Sequence, residues 1–364
     1  MKILLLADSS SIHIIRWANT LAERGYTVHV ATCHKNIGIF SNKVKLHFLN
    51  TYRPLCYYLS VYSLRALINK LQPDVFHAHY ASGYGTLARL VKYRPLVLSV
   101  WGSDVYEFPY RSFWHLHVIR KNLQAADHVC STSYAMARKV KKLGVDIKNL
   151  HVTPFGVDSK VFALRENVKK NVSDITIGTV KSLSNKYGID ILIRAFSTAK
   201  KLVSEKNSEM ASRMRLLIVG GGEQHRELQS LVKKLKLEKL TTFVGPIPHS
   251  DVPKYLHKLD IYLALSRSES FGVAVLEASA CELPVIVSDV GGLPEVVKDD
   301  VTGLIVASEN VEQAAKAIVK LVLDIQLRKN LGTAGRVYVS EHYDWQLNVD
   351  QMEKIYSKIV DENV

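Results

Sequence analysis

Cysteine is scarce in this chain: four residues in 364, at positions 33, 56, 130 and 281, with no C-x-x-C pair and no cluster of histidines beside them. Such scattering argues against a disulfide framework and against structural zinc. Long apolar runs are missing as well. The opening run, ILLLA (3–7), stops at Asp8 and is too short for a secretory signal. No later run approaches the roughly 20 residues needed to span a bilayer, so a cytoplasmic protein is expected. Nowhere does the spacing D-x-D occur, and no metal held by such a pair is expected. Acidic residues are in short supply in one region only. Residues 1–165 hold 22 Lys/Arg against 8 Asp/Glu, whereas the other 199 hold 26 of each, so the whole net charge of +14 lies in the first part. A basic domain joined to a neutral one points to an anionic partner: nucleic acid, an acidic membrane or a phosphorylated substrate.

Two domains suit this length, and the pattern supplies two. Strand-like KILLLA, TVHVAT, PDVFHAHY and PLVLSVWG alternate with helical segments in the first part. DITIGTV, RLLIVGGG, TTFVG, IYLAL, PVIVSD and TGLIV do so in the second. Apolar strands in βαβα order predict α/β architecture: two doubly wound, Rossmann-like parallel sheets facing a cleft. The aperiodic stretch from HVTPFGVDSKVF to about Ser173 is taken as the linker. The expected domains are 1–165 and 166–340, with a terminal helix, 341–364, crossing back to the first. Ligands of such sheets lie beyond the carboxyl ends of the strands. In the first domain that rule selects the loops carrying Ser11 and His13, His79, and Trp101 and Asp104.

The segment SRSESFGVAVLEASACELPVIVSDVGGLPEVV (266–297) carries two glutamates, Glu269 before a helix and Glu277 two turns inside it. Ser270, Phe271, Gly272 and Val273 would present free backbone N–H groups at the helix start, which suit an anion. Glu277, on an otherwise apolar helix, needs a hydrogen-bond donor, and the vicinal hydroxyls of a ribose would supply two. A sugar nucleotide satisfies these elements together. Taken alone, Glu269 could equally cap the helix and Glu277 face solvent.

The segment resembles the signature of the retaining group 1 glycosyltransferases (family four, GT-B fold), through Ser266, Glu269, Phe271, Gly272, Leu276, Glu277, Ala278, Ala280, Pro284, Ser288, Gly291, Gly292 and Glu295. Ser270 and Glu282 stand where that family usually has glycine. GTVKSLSNKYGIDILIRAF is similar to the family's stretch with a basic pair that binds the donor diphosphate, which assigns Lys181 and Lys186 that role. The strand–glycine turn of LLIVGGG places Gly220 and Gly221 on the donor side. SVWGSDV matches a family motif at Asp104 but has Trp101 where a histidine usually meets the transferred sugar, leaving His13 or His79 to compensate. The resemblance implies a metal-independent, retaining hexosyltransferase without cofactor, taking a UDP- or GDP-sugar, with Glu269, Lys181 and Lys186 as catalytic residues. It also implies a glycan acceptor bound by the first domain, polyprenyl-diphosphate-linked in many members, with peripheral attachment to an anionic membrane face.

Rival readings stay open on the residues alone. A hydride-transfer enzyme is disfavoured because IVGGGEQH lacks G-x-G-x-x-G spacing. A non-catalytic glycan or nucleotide-sugar binder and a sugar-nucleotide epimerase of the same fold remain. Nucleic acid is the least supported partner, since no aromatic-basic RNA motif accompanies the positive charge.

Overall fold

Both runs of alternating strands and helices form parallel sheets. The computed structural model describes residues 1–34, 38–49, 55–163 and 174–362. The chain divides into two compact units, Met1–Pro154 with Gln346–Val364, and Phe155–Trp345.

Among the described residues the first unit has seven parallel strands: β1 (Lys2–Leu6), β2 (Thr27–Thr32), β3 (Lys45–Phe48), β4 (Val75–His79), β5 (Leu96–Val100), β6 (His128–Ser131) and β7 (Leu150–Val152). Their order is β3-β2-β1-β4-β5-β6-β7. The second unit has six: β8 (Ile175–Val180), β9 (Met214–Val219), β10 (Thr241–Gly245), β11 (Ile261–Ala264), β12 (Val285–Ser288) and β13 (Leu304–Val306), ordered β10-β9-β8-β11-β12-β13. In each sheet the winding reverses once, between β1 and β4 and between β8 and β11. Helices on both faces account for the continuous apolar strands: every residue of β4, β5 and β11 is buried.

The three strands that the sequence pattern does not announce are β3, β6 and β7. Strand β3 is a partly exposed pair-edge element, KLHF, and β7 is three half-buried residues, LHV. The last two residues of the latter, His151 and Val152, fall within the stretch expected to be linker. The boundary also lies earlier than expected, at Pro154–Phe155 rather than after 165. The cause is local pairing. Val157 N–H donates to Tyr343 O (2.8 Å), Trp345 N–H donates to Val157 O (2.9 Å), and Ser159 Oγ donates to Asp344 Oδ2 (2.7 Å). Phe162 is buried in the second unit's core. The charged run of the expected linker, 164–173, lies outside the described residues.

The terminal helix, Trp345–Asp361, belongs to the first unit from Gln346 onward. Arg24 of the first helix meets Asp350 (2.5 Å) and Glu353 (2.6 Å) on it. Tyr356 is fully buried, its hydroxyl 2.6 Å from His77 Nδ1, while His77 Nε2 lies 2.7 Å from Ser99 Oγ. Among the described residues no helix is long and apolar enough to cross a membrane.

Candidate active site

In the second unit the reversal of strand order separates the loops that follow β8 and β11, the place where a doubly wound sheet accommodates ligand. Lys181 leaves β8 there, and Glu269 lies in the loop after β11. Although 88 residues apart in sequence, they meet: Lys181 Nζ is 2.7 Å from Glu269 Oε2, with both side chains mostly buried. Burial alone would lower the lysine's pKa. The charge and hydrogen bond of Glu269 outweigh it and hold the ammonium above its ordinary value. Lys186 is exposed on the next turn. Both ammonium groups approach one ring, that of Tyr187, at 4.4 Å for Lys181 and 5.0 Å for Lys186. Two cations and a carboxylate are thus gathered at one sheet end.

The double glycine of the signature has a steric reason. Gly291 has φ +54°, and a Cβ there would sit 1.7 Å from Glu269 O; at Gly292 it would lie 2.6 Å from Phe271 Cα. Gly292 N–H donates to Glu269 O (3.2 Å), and Ser288 Oγ donates to Ser266 O (2.6 Å). The segment after β12 therefore clasps the Glu269 loop at backbone distance. Gly220 does the same beside Lys181. It has φ +140°, and a Cβ would lie 1.9 Å from Lys181 O. Gly221 O accepts from Leu183 N–H (2.9 Å).

The helix expected from Phe271 runs from Val273 to Ala280. Gly272 is its N-cap, no side chain caps it among the described residues, and no acidic residue lies in its first turn. Ser270 and Phe271 lead into this start, Phe271 buried against Tyr343 and Phe155. An uncapped helix start is an electropositive position, and this one follows Glu269 directly in the chain. Glu277 is buried on this helix, and one of its oxygens is matched from within the protein: His249 Nε2 donates to Oε1 at 2.8 Å. His249, from the exposed turn after β10, was not singled out in the sequence; its only signal is its place beyond a strand's carboxyl end. Arg267 was missed too. It binds Asp190 through two 2.8 Å contacts, Glu309 at 2.9 Å and Asn185 O at 2.8 Å, and its N–H donates to Lys186 O (2.8 Å). It ties the loop before Glu269 to the loop bearing Lys186, and its charge holds the Asp190 carboxyl below its ordinary range despite burial.

In the first unit the selected residues also converge. Trp101 lies edge-on to His13 (5.8 Å between ring centroids) and tilted against His79 (5.2 Å). His79 is buried and stacked on His77 at 3.9 Å; burial pushes its pKa down to about 3, and neither ring nitrogen has a hydrogen-bond partner among the described residues. Ser11 is the N-cap of the helix Ile12–Glu23 without a side-chain cap bond. Asp104 is fully buried and accepts N–H bonds from Ala81 (2.8 Å), Gly102 (2.8 Å) and Trp101 (3.1 Å). It braces the loop after β4 against the loop after β5. Burial raises its pKa against the pull of those bonds.

Comparison with known proteins agrees in both units. Residues 161–338 match the model for "Glycosyl transferases group 1", and residues 2–133 match that for "Glycosyl transferase 4-like". The chain is 31% identical to the D-inositol 3-phosphate glycosyltransferase of Kribbella flavida over 299 residues, covering 75% of this chain and 68% of that protein. It is 27% identical to the N-acetyl-alpha-D-glucosaminyl L-malate synthase of Bacillus anthracis over 361 residues, 93% of this chain and 91% of the relative. Sucrose-phosphate synthase of Thermosynechococcus elongatus has the same fold, with a TM-score of 0.85 at 22% identity over 100% of both chains. Matched motif, sheet order and relatives converge: the chain belongs to the group 1 glycosyltransferases and has their two-domain α/β GT-B fold.

Proposed function

We propose that this glycosyltransferase moves a hexose, with retention and without a metal ion, from a UDP- or GDP-sugar to a hydroxyl of a lipid-linked or cell-surface glycan in polysaccharide biosynthesis. The observation that carries this reading is the gathering of Lys181 and Lys186 on the Tyr187 ring with Glu269 against Lys181, in a loop that runs directly into an uncapped helix. In the reaction the bond from the anomeric carbon to the diphosphate oxygen breaks, and a bond from that carbon to the acceptor oxygen forms on the same face. The acceptor proton passes to the departing diphosphate. Negative charge grows on the leaving group, and two lysines with helix N–H groups are suited to stabilise it. Glu269 orients the sugar hydroxyls and favours the cationic sugar. Glu277 holds the ribose, with His249 fixing one of its oxygens. The first unit binds the acceptor. Its exposed Phe113 and Trp114, with Arg111 and Lys121, are suited to docking at an anionic cytoplasmic membrane face.

A thermal-shift screen of UDP-, GDP-, ADP- and dTDP-sugars tests the donor site, because a ligand of the folded state raises apparent stability. A rise with one nucleotide, followed by slow donor hydrolysis or transfer with the anomeric configuration kept, is expected. Release of an epimer with no acceptor present identifies an epimerase instead, and binding with no turnover identifies a binding protein. Co-sedimentation with phosphatidylglycerol vesicles, weakening as salt rises, tests the membrane face.

A further inference from the structure

Lys186, Tyr187 and Gly188 lie in the segment between β8 and the helix Ile189–Lys206, and their backbone is held from two sides. Lys186 O accepts N–H bonds from Arg267 (2.8 Å) and Ser268 (3.2 Å), the two residues before Glu269. Gly188 has φ +60°, and a Cβ there would lie 1.9 Å from Leu265 O. The turn is therefore pressed against the end of β11. Tyr187 N–H donates to Ser184 O (3.0 Å), and its ring, partly buried, packs against the second unit's core. The ring is fixed in place.

Two ammonium groups lie over that ring, Lys181 Nζ at 4.4 Å from its centroid and Lys186 Nζ at 5.0 Å. Like charges repel, and a lysine's long stem loses rotamer freedom when its end is held. An aromatic face offsets both by attracting ammonium groups through its quadrupole. It carries no net charge, so it holds a cation without neutralising it. Nor is it a strong acceptor, so the ammonium N–H groups stay available to phosphate oxygens. Glu269, 2.7 Å from Lys181 Nζ, does the opposite and anchors the lysine by cancelling its charge. The Tyr187 hydroxyl makes no hydrogen bond among the described residues, so the ring is what this side chain offers the lysines.

We propose that Tyr187 is a positioning residue for the transfer reaction: its ring gathers Lys181 and Lys186 and keeps both ammonium groups ready for the donor's diphosphate. The assignment rests on the glycosyltransferase reading of the two lysines and adds the group that places them. Calorimetric titration of the full chain with UDP and GDP, each beside its nucleoside monophosphate, reads the diphosphate contact apart from base and ribose. Tyr187→Leu is expected to weaken the nucleoside diphosphate that binds by about tenfold, and its monophosphate by less. Tyr187→Phe keeps the ring and is expected to stay within about twofold of the unaltered chain. Phenylalanines with one, two and three ring fluorines at position 187 keep the shape while draining the ring's negative face. Affinity for the diphosphate is expected to fall with each added fluorine, a series to which a residue that merely fills space is blind.

A loss in Tyr187→Phe as great as in Tyr187→Leu overturns the assignment and gives the work to the hydroxyl. So does affinity that ignores the fluorines, or equal weakening of monophosphate and diphosphate. The fluorinated series remains decisive if Tyr187→Leu does not fold. The donor reading fails separately, and takes this assignment with it, if the unaltered chain binds neither UDP nor GDP. Binding that depends on Lys181 and Lys186 but not on the ring sinks the assignment alone.

Discussion

The two units share a fold but store their ionisable groups in opposite ways. The first buries imidazoles: His29, His77, His79 and His128 are inside, and burial holds each below its ordinary pKa, so all are neutral. Its fully buried carboxylate, Asp104, is held by backbone N–H groups rather than by a cation, and its Arg24–Glu353 pair is 24% and 20% exposed. The second unit pairs its more deeply buried charges with each other, Lys181 with Glu269, at 16% and 11% exposure. Under the proposed function, a sheet end that stabilises a leaving diphosphate needs permanent charge, and a resting carboxylate keeps that charge tolerable; a sheet end that receives a hydroxyl compound does not need it. The comparison teaches that chemistry, rather than topology, decides where a doubly wound sheet tolerates charge.

The largest effect expected comes from breaking the pairing. Lys181→Ala should lower turnover about 10²-fold or more, as loss of one preorganised charge-stabilising donor does elsewhere. It should also destabilise the second unit by about 3–5 kcal/mol, because Glu269 is left with neither lysine nor much water. Lys181→Met combined with Glu269→Gln should restore the melting temperature without restoring turnover. Recovery of activity in the double variant would assign the pair to structure alone.

Acid should separate the units next. A histidine whose folded pKa lies below its unfolded value of about 6.5 binds its proton more readily when unfolded. The stability it contributes is complete above pH 6.5 and is lost as pH falls toward about 4 for His29 and about 3 for His79. The first unit should therefore loosen between pH 6.5 and 4 while the second holds. Asp190, displaced downward by Arg267, loses its contribution only below the ordinary carboxylate range. Hydrogen exchange resolved by peptide would read the two separately; loosening of both in step would break the contrast.

A smaller change is expected at the donor's other end. Glu277→Gln should weaken nucleoside diphosphate binding about tenfold, since a charge-assisted bond contributes about 1.5–3 kcal/mol. His249→Ala should weaken it less, because the carboxylate stays. Calorimetric titration with UDP and GDP checks both, and unchanged affinity returns Glu277 to a packing role. The smallest effect is assigned to Arg267→Lys, which keeps the charge but loses the two-pronged grip on Asp190. A few-fold drop in kcat with donor affinity nearly kept would fit a residue that positions Lys186; an equal loss of both would not.

The sheets were legible because buried parallel strands read as unbroken apolar runs, as in ILLLA and PVIVSD. The Glu269 loop was legible because its glycines are demanded by backbone contacts at Gly291 and Gly292. What escaped were features made by side chains meeting across distant loops. Nothing near His249 marks it as the partner of Glu277, 28 residues on. An arginine in SRSES reads as surface until Asp190 and Glu309 are seen beside it. Strand β7 escaped because three half-buried residues carry no periodicity, and the unit boundary because Val157 takes its partners from residues 343 and 345.

The return of residues 346–364 to the first unit also sets a schedule for synthesis. Residues 155–345 form one uninterrupted stretch and can complete their core as soon as they emerge. The first unit, made earlier, must wait: the buried hydroxyl that meets His77 belongs to Tyr356, made only after the whole of residues 155–345. The unit begun before residues 155–345 is thereby finished after them, with its basic surface and uncovered aromatics on display throughout the interval.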